Sequence, residues 1–109
     1  MPNQQAPLDR VFRALGDPTR RAVLARLSLG EVTVSELAKP FDMALPSFTQ
    51  HLGVLEECGL VKSKKVGRVR SYRLVPHPLK AAERWMIEQR QMWEKRLDQL
   101  DAYLKVMKE

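Results

Sequence analysis

Two groups of side chains in this sequence have the types and spacing to do chemistry. The first is cationic: Lys62, Lys64, Lys65, Arg68, Arg70 and Arg73 follow one another over residues 62–73 with no acid among them. Of these, Lys64, Lys65, Arg68 and Arg70 cluster about Gly67, where positive charge can track a phosphate backbone and release its counterions. The arginines suit this best, because a guanidinium fork matches the geometry of phosphate oxygens. The competing reading is a solvated strand edge kept from mispairing by its lysines. The second group is Ser47, Thr49, Gln50 and His51. Hydroxyl and amide groups bond base edges, glutamine pairing with adenine at two points, and serine or histidine can hold a phosphate. Here the competing reading is an ordinary polar helix face.

Catalysis finds less support. His51 and Cys58, seven residues apart on one helix, would share a face, yet two helical turns separate them by ~10 Å. A nucleophile and its base need hydrogen-bond contact. Cys58 is the only cysteine, which excludes an intramolecular disulfide and a thiolate-rich metal cage. A packed thiol is its simplest role, a redox-sensing thiol the alternative. No Gly-rich phosphate loop, paired-carboxylate motif or metal-ligand spacing occurs, so the reading includes no enzyme activity, cofactor or metal. Arg20 and Arg21 could touch phosphate, but pairing with nearby acids is the preferred reading. Trp85 and Trp93 could line an apolar ligand pocket, although aromatics at helical spacing are more often core.

The elements that must position these residues are legible from periodicity and punctuation. The chain has 109 residues, 44% hydrophobic and 29% charged, with a formal charge of +6: enough for one domain with a core, and a basic balance suited to an anionic partner. Residues 1–7 read as a flexible arm, and residues 8–109 as a single domain. Leu8, Val11, Phe12 and Leu15 make the stripe of a short helix ended by Gly16. Asp17-Pro18 starts a second helix with an N-cap followed by proline at the first helical position, and Val23, Leu24 and Leu27 form its buried face. Thr33-Val34-Ser35-Glu36 is a capping box for a third helix that runs to Pro40 with Leu37 inward.

After a short turn, Phe48, Leu52 and Leu55 share the inner face of a fourth helix that ends at Gly59. Two helices so joined are helix-turn-helix geometry. The β-rich runs on either side of Gly67 form a hairpin, a wing over about 60–75. A last helix over about 78–108 carries Leu79, Ala82, Met86, Trp93, Leu97, Leu100, Leu104 and Met107, spaced by threes and fours except for one gap. Its stripe needs a cover, and a second copy of the chain is the simplest. The fold class is therefore mainly α with a small β-hairpin: a winged helix-turn-helix with a long C-terminal dimerisation helix. No apolar run approaches the ~20 residues of a membrane span, so no membrane partner is expected and the cytoplasm is the default location.

Three stretches in collinear order, Phe12-Arg13-Ala14-Leu15-Gly16-Asp17-Pro18-Thr19-Arg20, His51-Leu52-Gly53-Val54-Leu55-Glu56-Glu57-Cys58-Gly59-Leu60-Val61 and Gly67-Arg68-Val69-Arg70-Ser71-Tyr72-Arg73-Leu74, resemble the ArsR family of bacterial winged-helix repressors. The resemblance runs from about Leu8 to Leu74 and more loosely through the last helix. It implies a homodimer joined through the first and last helices, the helix beginning near Leu45 in the major groove, and the hairpin against the adjacent backbone. It also implies repression relieved by an effector, here unknown. Many members sense metal through a Cys-x-Cys pair in the helix corresponding to Val34–Lys39, or through Asp and His on the last helix. This chain has no cysteine in the first, and the second has acidic residues but no histidine. Ala44 stands where members often carry a capping serine.

The reading that results is a sequence-specific regulator of double-stranded DNA, most simply a dimeric repressor without the usual metal sites. Its DNA contacts are Ser47, Thr49, Gln50, His51, Lys64, Lys65, Arg68 and Arg70. Its dimer contacts are Leu8, Phe12, Met86, Trp93, Leu97, Leu100 and Leu104. The alternatives are a winged module that binds protein instead of DNA, and a redox-responsive regulator acting through Cys58.

Overall fold

The computed structural model describes residues 5–108. Its elements are α1 (Gln5–Leu15), α2 (Pro18–Leu27), β1 (Val32–Thr33), α3 (Val34–Ala38), α4 (Leu45–Glu57), β2 (Val61–Val66), β3 (Val69–Leu74) and α5 (His77–Lys108). This is the winged helix-turn-helix arrangement, mainly helical with a small antiparallel sheet. α1 starts three residues before the Leu8 at which its stripe begins, so residues 5–7 of the expected arm are helix, and residues 1–4 lie outside the described residues. An apolar stripe marks which residues pack, not where the backbone first turns. Pro7 is harmless there because first-turn N–H groups lack helical partners anyway.

Local signals account for most of the other boundaries. Asp17 accepts a hydrogen bond from the Arg20 backbone N–H at 3.0 Å, with Pro18 opening α2 behind it. Thr33 caps α3 by accepting from the Glu36 N–H at 3.3 Å. The return half of the expected capping box is not made: the Glu36 carboxylate pairs instead with Lys39 at 2.7 Å. α4 has no side-chain cap at Ala44 and carries Pro46 in its first turn. At its other end, Leu60 N–H donates to the Leu55 carbonyl and Gly59 N–H to that of Glu56, both at 3.0 Å. Gly59 at φ +74° permits this reversal, and Leu55 and Leu60 are both fully buried beside it: the Schellman stop with its apolar contact.

The core gathers Val11 and Ala14 of α1, Val23, Leu24 and Leu27 of α2, Leu37 of α3, and Phe48, Leu52 and Leu55 of α4 around Val61 and Tyr72 of the sheet. β2 and β3 join through Gly67-Arg68. Gly67 has φ +62° while Arg68 does not have positive φ, the pattern of a II′ hairpin turn. The expected two-stranded hairpin is in fact one side of a three-stranded sheet in the order β1-β3-β2. β1 adds two pairings, Val32 with Tyr72 and Thr33 with Ser71, and is too short to show any alternation in sequence.

α5 is 32 residues long, about 48 Å at the helical rise, and it begins at His77, so the helix expected to lack histidine carries one at its first position. Its first turns lie on α1, where Phe12 meets Trp85 edge to face at 5.4 Å. Ala82 alone of its residues is buried.

Candidate nucleic-acid interface

Burying Phe48, Leu52 and Leu55 turns the other sides of α4 outward, and Ser47, Thr49 and Gln50 are exposed there. Thr49 donates its hydroxyl proton to the Pro46 carbonyl at 3.0 Å, leaving its methyl group and its oxygen lone pairs for a partner. His51 differs. Its ring is about one-quarter exposed, with Nδ1 at 3.2 Å from an Arg20 Nη and 3.7 Å from Asp17 Oδ2. A guanidinium only donates, so Nδ1 accepts and the ring proton sits on Nε2. Arg20 also donates to the carbonyls of Ala14 at 2.8 Å and Arg13 at 3.2 Å. One side chain thereby ties the end of α1, the start of α2 and the middle of α4 together. Arg21 likewise donates to the Leu15 carbonyl at 2.6 Å, so both guanidinium groups bond backbone carbonyls where pairing with acids was expected. The Asp17 carboxyl is held below its ordinary range, chiefly by the Arg20 N–H, with the Arg20 charge and the Thr19 N–H contributing against its partial burial.

The hairpin register divides the cations. Lys65 pairs with Arg70 and Ser63 with Tyr72, whereas Lys64 pairs with Ser71 and Lys62 with Arg73. Directly opposed residues share a sheet face and neighbours along a strand alternate. Lys65 and Arg70 therefore lie on the face of the buried Tyr72, Lys64 lies on the opposite face, and Arg68 sits in the turn. All four are exposed. Arg70 donates to the Ser63 hydroxyl at 2.9 Å, and that hydroxyl donates to Glu56 Oε2 at 2.9 Å. This relay fastens the wing to the last turn of α4, and sequence reasoning missed it, because no local pattern relates Glu56 to Ser63. Gly53 was missed too. It sits exposed in mid-helix, and a Cβ added to it would meet nothing within 4 Å, although glycine costs a helix about 1 kcal/mol relative to alanine.

The residues expected at a dimer contact lie on α1 and α5, which pack together through Phe12 and Trp85. Leu8 and Phe12 are half-buried on α1, while Met86, Trp93, Leu97, Leu100 and Leu104 of α5 remain 46–62% exposed. The two tryptophans part company: Trp85 joins Leu8, Val11, Cys58 and Pro78 in lining a cleft of about 560 Å³, and Trp93 is not part of it. Cys58 donates its thiol proton to the Arg10 carbonyl at 3.3 Å, and burial, helped by the Glu57 charge, pushes its pKa up. α3 offers no thiol, and among the described residues no three His, Cys, Asp or Glu side chains gather as metal ligands. No helix among them is long and apolar enough to cross a membrane.

The exposed polar face of α4, the helix-turn-helix beneath it and the cationic wing beside it define a helix-turn-helix protein of the winged type. A family model described as a helix-turn-helix domain matches residues 15–64. An HTH-type transcriptional regulator of Mycobacterium tuberculosis is 42% identical over 67% of this chain and 68% of its own length. The arsenical resistance operon repressor of Escherichia coli is 40% identical over 73% and 74%. Among solved structures, an ArsR family transcriptional regulator superposes with a TM-score of 0.80 at 53% identity, covering 86% of this chain and 97% of its own. An ArsR-like regulator from Rhodococcus superposes with a TM-score of 0.73 at 34% identity, covering 88% and 91%. The chain belongs to the ArsR family of winged helix-turn-helix transcriptional regulators.

Proposed function

We propose that the chain works as a homodimeric repressor that reads duplex DNA with α4, grips the flanking phosphates with the β2–β3 wing, and needs no metal to do either. The observation that carries this reading is the two-sidedness of α4: an inner face fully buried in the chain's own core, and an outer face of exposed short polar groups with exposed cations on the adjoining hairpin. Thr49 and Gln50 contact base edges, with Ser47 beside them. Arg68 and Lys64 meet phosphate, joined by Lys65 and by Arg70 from its tether on Ser63. His51, with Nδ1 occupied, has only its Nε2 proton for a phosphate oxygen.

Dimerisation is supported by the exposed apolar stripe of α5, which its own chain leaves uncovered. A symmetric pair would present two copies of α4 about one DNA turn, ~34 Å, apart. Metal independence is supported by the absence of cysteine from α3 and by the single thiol, protonated and bonded to a carbonyl. The same protonated thiol argues against the redox reading, since the thiolate is the reactive form.

The test separates base from phosphate contacts by titrating operator and random duplex at several salt concentrations. Thr49→Ala and Gln50→Ala should weaken operator binding by about 1–3 kcal/mol each and leave random DNA nearly unchanged. Arg68→Ala should weaken both alike and lower the salt slope by about one unit for each phosphate it no longer neutralises. Zinc, cadmium and arsenite should leave the wild-type curves superimposed. A base preference altered only by wing variants would reverse the assignment of reader and clamp.

A further inference from the structure

We infer that the outer face of α4 selects A·T pairs through the thymine methyl groups, with Leu45 and Thr49 as the methyl contacts and Gly53 as the point of closest approach to the duplex. This rests on α4 being the DNA-reading helix, and it names what that helix reads.

Leu45, Thr49 and Gly53 follow one another at four-residue intervals along one line of the helix, and Pro46 and Gln50 lie beside that line. All five are exposed, and Leu45, a large apolar side chain, is 54% exposed at the very start of α4. None of the five carries charge, and α4 contains no lysine or arginine. The side chains that most often recognise guanine, by reaching its O6 and N7 from the major groove, are therefore missing. Of the two acids that could accept from the cytosine amino group, Glu56 takes the Ser63 hydroxyl, and Glu57, the next residue on the line after Gly53, is the last of α4, about 12 Å along the helix from Thr49.

What remains matches the other base pair. Gln50 can pair with adenine N6 and N7, and apolar carbon is the natural partner of the thymine methyl. Leu45 supplies such carbon directly. Thr49 supplies its own methyl, because its hydroxyl proton is already given to Pro46. The uncharged stretch of this face from Leu45 to Gly53, next to a cationic hairpin that supplies the attraction to phosphate, is suited to enter a groove. Gly53 completes the face. Nothing within the chain occupies the place of its missing side chain, so the folded monomer gives no reason for a residue that weakens the helix. A duplex wall lying against the backbone there does give one.

The experiment uses the full-length protein and a duplex recovered from a random pool by repeated binding selection. Each thymine of the recovered site is then replaced by deoxyuridine, which removes the methyl group and leaves the pairing intact. At one or more positions in each half-site the wild type should bind about fourfold more weakly per methyl removed, the factor for burying one such group. Leu45→Ala should bind both forms alike at its position. Gly53→Ala should unfold at a higher temperature than the wild type yet bind the site about tenfold or more weakly. Uracil substitution without effect throughout, or half-sites that require G·C pairs under α4, would overturn the inference and leave α4 as the reader. Unweakened binding by a stabilised Gly53→Ala would remove the close approach. Failure to enrich any duplex would overturn the reading on which the inference rests.

Discussion

α4 and α5 are both amphipathic helices in one small chain, and they meet opposite fates. In α4 the apolar face, Phe48, Leu52 and Leu55, is at most 1% exposed, held by α2, the sheet and a Schellman stop. In α5 only Ala82 is buried, and Trp93, Leu97, Leu100, Leu104 and Met107 are all roughly half exposed or more. The contrast shows that amphipathicity says a face will be buried without saying by what. α4 is fixed by its own chain and so presents Thr49 and Gln50 in a set orientation. α5 runs out beyond the core, drawing the chain to a longest dimension of 73 Å, and its own chain leaves its stripe uncovered.

The largest effect should come from breaking the α5 side of this contrast. Leu97→Asp or Leu100→Asp would place an unpaired charge in the proposed symmetric contact, costing about 3–5 kcal/mol per buried charge. Sedimentation should then give one chain mass where the wild type gives two, and operator binding should fall with it. The monomer should remain folded, because both residues are exposed in the isolated chain. A variant that stays dimeric would show that α5 is not the contact.

Leu52→Ala is the matching test on α4. Truncating a fully buried leucine should cost about 2–5 kcal/mol of unfolding free energy, measured by urea titration at fixed protein concentration. An effect confined to DNA binding, with the unfolding curve unmoved, would contradict the core assignment of that face.

A smaller effect should appear at the joint between α4 and the wing. Removing the Ser63 hydroxyl leaves Arg70 without its tether to Glu56, and an exposed hydrogen bond of this kind contributes about 0.5–1.5 kcal/mol. Ser63→Ala should loosen the hairpin, seen as faster amide exchange across β2–β3, while the α4 amides keep their protection.

The smallest expected effect concerns the start of α2. Asp17→Ala should cost about 1 kcal/mol of stability at neutral pH. Because the folded state depresses the Asp17 pKa from its ordinary 3.8, its contribution is complete above that value and is lost as pH falls through the lower folded one. The wild type should therefore lose this increment only in strong acid, below about pH 4, where the Asp17→Ala curve lacks that component.

Much of the fold could be read directly because its signals are local. Asp17-Pro18 opens α2 through a bond three residues long. Leu55, Gly59 and Leu60 close α4 within one turn. Gly67-Arg68, a two-residue loop, sets the hairpin register, and with it the division of Lys64 from Lys65 and Arg70. The apolar periodicities placed the cores of the helices for the same reason: a helix repeats over 3.6 residues, so its pattern is printed within a few turns. Sequence likewise singled out Thr49 and Gln50, since residues off the Phe48, Leu52 and Leu55 face have only the outside left to them.

Other features depended on how segments remote in sequence meet. β1 consists of two residues whose strand character comes from the β3 edge it joins. Glu36 went to Lys39 instead of completing its capping box, a choice between two nearby partners that the motif does not decide. The Arg20 bridge to His51 spans 31 positions, and it alone distinguishes His51 from its neighbours on α4. The relay from Glu56 through Ser63 to Arg70 requires the packed contact of α4 with β2. Short-range hydrogen bonding and periodicity are properties of the sequence. Which polar groups become partners across the fold is decided by the geometry that core packing imposes, and only the tertiary structure contains it.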